Sequence, residues 1–206
     1  MTASLAAAFA PFDDLARQLL AHATEGDDGS HDIAHILRVF RNAMRIHAAE
    51  GGNGRVLAVE KNSPLRAEAS RLAAEKAAGV LSALSWDETD IAAVAHAITT
   101  HSFSANISPE TLEAKILQDA DRLDAIGMVG AARCFYIAGR MGSGLYDPAD
   151  PLATDRPLDD KAFAIDHFET KLFKLAEGFR TPAGRALATE RHARLKHVLE
   201  LFLDEI

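Results

Sequence analysis

Three aspartates crowd one stretch, Gln118-Asp119-Ala120-Asp121-Arg122-Leu123-Asp124-Ala125. Ile116, Leu117, Leu123 and Ile126 flank them, so the helix that carries them is expected to be largely buried. Asp121 and Asp124 share a helical face, and Asp119 points elsewhere. Buried carboxylates need a cation or hydrogen-bond donors. Arg122 can pair with one of them and a metal can serve another; the residues alone leave both open. His31 and His35 are four residues apart, which puts both imidazoles on one helix face, one turn apart. Helical metal sites use that spacing, but surface histidines fall into it by chance as well. His96 and His101 flank a helix end, and the plain reading of His101 is a cap near a helix C-terminus, where positive charge is favourable. The glycines of Gly139-Arg140-Met141-Gly142-Ser143-Gly144 make no phosphate loop, because no Gly-Lys-Ser/Thr follows and no strand precedes. A flexible lid or a plain loop is expected there.

Helical periodicity dominates, with no convincing run of alternating strand residues. A first helix is expected over Ser4 to Ala23, interrupted near Pro11. Ser30 can cap a second, with Asp32 in its first turn, a stripe of Ile33, Leu37, Phe40 and Met44, and a stop at Gly51-Gly52. Ser63-Pro64 starts a third, carrying Leu65, Ala69, Leu72, Ala73, Val80 and Leu84. Ser85-Trp86-Asp87-Glu88 reads as a capping box for a fourth. Ser108-Pro109 starts a fifth that reaches Asp124 or runs on to Ala138, bent at Gly127 and Gly130. Gly139 to Pro157 is the longest loop, and long loops in compact domains are often functional. A sixth helix is expected from Leu158 to Phe179, and a last one from Thr181-Pro182 onward. One all-α domain over residues 1–206 is the expected organisation.

The chain has 206 residues, 48% hydrophobic and 25% charged, as in ordinary globular proteins. Its one cysteine, Cys134, excludes an intrachain disulfide and a Cys-based zinc site. The net charge of −8 argues against binding nucleic-acid polymers, which calls for a basic stripe. No run of ~18 apolar residues suits a membrane span. The Ala-rich start lacks a basic leader, so a cytoplasmic protein is expected, either a monomer or a homodimer.

Together these pieces resemble the HD superfamily of metal-dependent phosphohydrolases, in its branch of small single-domain bacterial members. The resembling segments are Ser30-His31-Asp32 through His35-Ile36-Leu37-Arg38-Val39, Ala97-Ile98-Thr99-Thr100-His101-Ser102-Phe103-Ser104, Ile116 to Gly127, and Asp166-His167-Phe168-Glu169-Thr170-Lys171-Leu172. The resemblance implies an all-helical fold around one divalent metal. By position it implies His35 as the early ligand and Asp121 as the late one, with Asp119 second choice. It also implies a His-Asp pair ending a helix between Gly52 and Val59-Glu60-Lys61-Asn62-Ser63-Pro64. Only a handful of residues fill that interval here, and the one His-Asp dipeptide, His31-Asp32, belongs to the earlier motif. A ten-residue helix would need ~15 Å of rise, more than this join supplies.

If the chain truly lacks that helix, a degenerate domain that binds a ligand or partner without catalysis follows. Its loss would expose several neighbouring side chains, each worth ~1.5–3 kcal/mol. That favours a natural chain with the helix present and an active enzyme. The activity implied is hydrolysis of phosphoester or phosphoanhydride bonds, with nucleotides the leading substrate class. Imidazole and carboxylate ligands suit Mn, Fe, Ni, Co or Zn better than an all-oxygen Mg site. Asp121 or Asp119 would orient the attacking water, with His101 as a further catalytic candidate. Lys61, His96, His101 and Arg122 are the candidates for holding the phosphate.

Overall fold

A computed structural model describes residues 5–20, 33–58, 69–101 and 107–206. Among these the fold is all-α. The helices are α1 (Asp13–Leu20), α2 (Ile33–Glu50), α3 (Gly54–Leu57), α4 (Ala69–Ala83), α5 (Glu88–Thr100), α6 (Leu112–Asp124), α7 (Gly127–Met141) and α8 (Pro182–Leu203). A 3-10 turn, Ala7–Phe9, precedes α1. A π-turn, Phe168–Leu172, and a 3-10 turn, Phe173–Ala176, precede α8. One isolated parallel bridge joins Gly144 to Phe163. No helix among the described residues is long and apolar enough to cross a membrane. The chain gathers into two compact units, Met1–Asp121 and Arg122–Ile206.

In the first unit, Ala6, Phe9, Ala16, Phe40 and Ala58 form a buried cluster. The rings of Phe9 and Phe40 lie 5.1 Å apart and tilted, a favourable aromatic geometry. The N-terminal helix is interrupted at Pro11, as expected, into a 3-10 turn and α1, because proline has no amide hydrogen to continue the ladder. Helix α2 stops where expected, at Gly51 and Gly52, both at positive φ. Its buried face differs from the expected stripe: His35, Val39, Phe40, Asn42, Ala43 and Ile46 point inward, while Ile33 is 38% exposed. The expected capping box at Ser85 is also corrected. Ser85 turns the chain at φ 58°, and Asp87 is the cap, accepting the Asp90 N–H at 2.9 Å. Trp86 is buried between them with Arg55 stacked 3.5 Å over its ring. The caps expected at Ser30 and Ser63-Pro64 lie outside the described residues.

The second unit is built on α7 and α8. Ala131, Cys134, Ile165, Phe168, Leu172, Leu195 and Leu199 make its core. Helix α6 ends at Asp124, the shorter of the two expected extents, and a break separates it from α7. Gly127 sits at φ +75°, and a Cβ on Gly130 would overlap the Ala125 carbonyl. Helix α8 starts as expected, with Thr181 accepting the Gly184 N–H at 3.0 Å and Pro182 in the first turn. The expected sixth helix from Leu158 to Phe179 is instead a loop followed by the π-turn and 3-10 turn. Asp166 and Asp159 take backbone N–H groups locally, which competes with helix formation.

The segment from Gly142 to His167 is tied down at its centre, unlike a flexible lid. Arg156 grips buried Asp166 through two hydrogen bonds, 2.6 and 2.9 Å long, and lies 3.4 Å from Asp147. Burial pushes the Asp166 carboxyl up, but Arg156 and the Asp159 N–H outweigh it and hold it below the ordinary 3.8. His167 and Thr170 hold Asp160 below the same value.

Candidate functional site

Helices α2 and α6 bring two of the expected residues together. His35 Nε2 lies 3.6 Å from Asp121 Oδ1. The imidazole side chain is 11% exposed and the carboxylate 33%, so the pair sits at the edge of the first unit's interior. Donors bound to one ion at ~2.0–2.2 Å each can be at most ~4.4 Å apart. The spacing therefore lets both reach a single cation. Neutral imidazole with carboxylate suits Mn, Fe, Co, Ni or Zn. Among the described residues no group of three or more His, Cys, Asp or Glu side chains could hold a metal ion. The pair thus fits two positions of a cation site and leaves the others to water, phosphate oxygens or residues beyond those described.

Of the remaining candidates, Asp119 shares α6 with Asp121, while His96 and His101 belong to α5 and its end. Asp119 is fully buried, a side chain enclosed by the fold rather than open to a ligand from solvent. His101, 5% exposed, follows the end of α5 and its Nδ1 lies 2.5 Å from the Ile98 carbonyl. A carbonyl only accepts, so Nδ1 carries a proton. The expected capping role of His101 is thus present. His96 Nε2 accepts the Glu110 N–H at 3.1 Å, which fixes the opposite nitrogen as its proton carrier. Lys61 and His31 lie outside the described residues.

In the second unit, Arg122 donates to the carbonyls of Leu175, Glu177 and Gly178, at 3.3, 2.5 and 3.4 Å, and stands 5.2 Å from the Phe179 ring. It ties the turn before α8 to the end of α6. Asp124 is fully buried and meets Arg133 at 3.3 Å.

Two buried amides near the pair were not among the candidate site residues, although Gln118 opens the acid-rich stretch itself. Asn42 on α2 donates to the Ala120 carbonyl at 3.1 Å, and Gln118 on α6 donates to the Thr100 carbonyl at 2.9 Å. The isolated amide of Asn42 breaks no period and forms no motif. The inward rotation of α2 toward His35 was the one feature that would have exposed Asn42, since the two are seven residues apart on one face.

No protein-family model matches the chain. A curated relative, the uncharacterised protein YpgQ of Bacillus subtilis (strain 168), is 43% identical over 103 residues. That match spans 48% of this chain and 44% of the relative, less than half of its length. The crystal structure of Bacillus subtilis YpgQ in complex with ADP is similar, with a TM-score of 0.67 and 33% identity over 86% of this chain and 90% of that one. An HD-superfamily hydrolase from Bacillus thuringiensis has a TM-score of 0.68 and 29% identity, covering 98% of this chain and 96% of that one. A protein described as a predicted HD superfamily hydrolase, from an uncultured Thermotogales bacterium, has a TM-score of 0.56 and 25% identity, covering 99% of this chain and 90% of that one. The helical fold, the order of the histidine and aspartate segments along it, and these relatives agree: the chain belongs to the HD superfamily.

Proposed function

We propose that this protein hydrolyses a phosphoester or phosphoanhydride bond of a small phosphorylated substrate, a nucleotide, with a divalent cation held by His35 and Asp121. The observation that carries the reading is the 3.6 Å approach of His35 Nε2 to Asp121 Oδ1 from two separate helices. The ADP bound by the YpgQ structure supports the substrate class. When bound, such a cation lowers the pKa of its water and offsets charge on phosphoryl oxygens.

The chain's own residues divide the work. His35 offers a nearly buried imidazole and Asp121 a carboxylate that solvent and substrate can reach. Asp121, more exposed than Asp119, is the better placed of the two to orient a water. His101, buried at the end of α5, is the further catalytic candidate. His96 and Lys61 are the proposed phosphate contacts, the first through Nδ1–H. Arg122 holds the carbonyls of Leu175 and Glu177 within the second unit.

A second reading has its own observation. Two donors are few for a catalytic cation, and among the described residues no third joins them. A domain that binds a nucleotide without turnover fits that count.

The test is a panel of nucleoside mono-, di- and triphosphates with Mn, Co, Ni, Zn or Mg, read by released phosphate or pyrophosphate. Turnover that falls more than ~100-fold in His35→Ala and Asp121→Asn is the expected result, since even outer partners of a metal ligand cost 10–100-fold. A thermal shift with ADP and no turnover under any metal would move the protein to the second reading.

A further inference from the structure

His35 and Asp121 belong to different helices, so their approach depends on how α6 is set against α2. One residue of slip along a helix means ~1.5 Å of travel and ~100° of rotation. Ligand distances at a metal hold to about ±0.2 Å. A slip of a single residue would therefore dismantle the pair. Apolar packing sets such a register weakly, because aliphatic side chains repack before they lose stability.

Two buried amides sit where a register pin would be needed. Asn42, 6% exposed, shares the inner face of α2 with His35. Its Nδ2 donates to the carbonyl of Ala120, the residue before Asp121, at 3.1 Å. Gln118, 2% exposed, is three residues before Asp121, on the same side of α6. Its Nε2 donates to the Thr100 carbonyl at 2.9 Å. Thr100 is the last residue of α5, so its carbonyl has no partner within that helix. His101 follows directly, and its ring takes the Ile98 carbonyl of the same turn. Helix α6 is thus fastened to α2 on one side and to the end of α5 on the other, both within three residues of Asp121.

The chemistry of an amide makes these fastenings selective. A slipped register would bury two amide donors and a helix-end carbonyl without these partners, which a protein interior resists. A leucine of similar volume would fill the space and accept several registers. Single buried amides fix the register of paired helices in coiled coils by the same physics.

We propose that Asn42 and Gln118 are positioning residues, two buried amide pins that hold α6 in the register where Asp121 meets His35. The inference rests on the reading of that pair as the cation and nucleotide site. The pins touch neither; they act through the helices.

The variants are Asn42→Leu, Gln118→Leu and the double variant, with Asn42→Ala and Gln118→Ala in reserve should the leucines prevent folding. Three readouts are taken on the full chain: helicity and melting temperature, Mn²⁺ affinity in the presence of ADP, and the His35–Asp121 separation in variant crystals. The expected result is a folded protein whose Mn²⁺ affinity falls about 10-fold or more per pin, on the scale of lost outer partners. The separation should open beyond ~4.4 Å, the reach of one ion. Variants that keep wild-type Mn²⁺ affinity and the 3.6 Å separation overturn the proposal. A wild-type protein that binds neither Mn²⁺ nor ADP removes the functional reading instead. The crystal separation then judges the pins by itself, since an opened pair supports them and an unchanged one refutes them.

Discussion

Burial pushes the Cys134 thiol up to about 11, with the Asp160 charge adding to the rise and Lys171 opposing it. Its Sγ–H points at the Ala164 carbonyl, 3.3 Å away. A protonated, enclosed thiol is a poor nucleophile. Ellman's reagent at pH 8 should therefore find no fast-reacting thiol in the folded protein and one in guanidinium; prompt native labelling would contradict the burial. Asp119 and Asp121 separate in the same way, by surroundings rather than type. Asp119 is enclosed and engaged within the fold. Asp119→Ala should cost ~1–3 kcal/mol of stability by stranding its partners, measured by denaturant titration, whereas Asp121→Asn should spare stability and remove function. The sequence made both visible because three acids in an apolar frame are conspicuous. Asn42 stayed hidden because one amide among apolar neighbours looks like any surface residue until the rotation of the helix is known.

The elements that were legible begin or end with local chemistry. Thr181-Pro182 starts α8 because the cap and the proline act within one turn. Gly51 and Gly52 end α2 because only glycine turns that way without strain. Where a start was misread, two local options competed. Ser85 and Asp87 both offer a cap oxygen, and the left-handed turn at Ser85 hands the role to Asp87. Asp87→Ala should accordingly cost ~1 kcal/mol, while Ser85→Ala should stay within ~0.5 kcal/mol. Equal losses in a thermal melt would restore the original assignment. The sequence leaves open whether the chain breaks after Asp124 or bends on to Ala138, because glycine alone does not reveal how close the chain returns. Gly130→Ala tests the close return at Ala125, with an expected loss of ~1–3 kcal/mol from the overlap; a neutral result would show a loose junction. The helix expected from Leu158 onward failed for a different reason. Its aspartates bond nearby backbone N–H groups, an alternative that periodicity does not register.

At the scale of the molecule, acid sensitivity gathers in the second unit. Asp150, Asp160 and Asp166 all lie below the ordinary 3.8: Asp150 through the N–H groups of Asp155 and Thr154, Asp160 through His167 and Thr170, and Asp166 because Arg156 outweighs its burial. A carboxylate depressed in the folded state adds stability that is complete above its unfolded value. That stability drains as pH falls below 3.8 through the folded values. His192 is lowered from 6.5 by desolvation and by Lys196, against Glu177, so its stability is also complete above 6.5 and declines below it. Melting temperature should hold level above pH 6.5, sag below it, and drop again under pH 3.8. A melt that rises on acidification would refute the assignment. The grip of Arg156 on Asp166 has a further outcome, for cleavage rather than folding. A segment with the prolines and glycines of an open loop invites a protease, yet Arg156, the arginine that an Arg-specific protease would seek, is only 17% exposed and holds a buried carboxylate. Clostripain, which cuts only after arginine and accepts the Arg156–Pro157 bond that trypsin refuses, must draw that guanidinium out before it can cut. The stretch that looks most vulnerable on paper should outlast the exposed arginines of the helices in a limited digest.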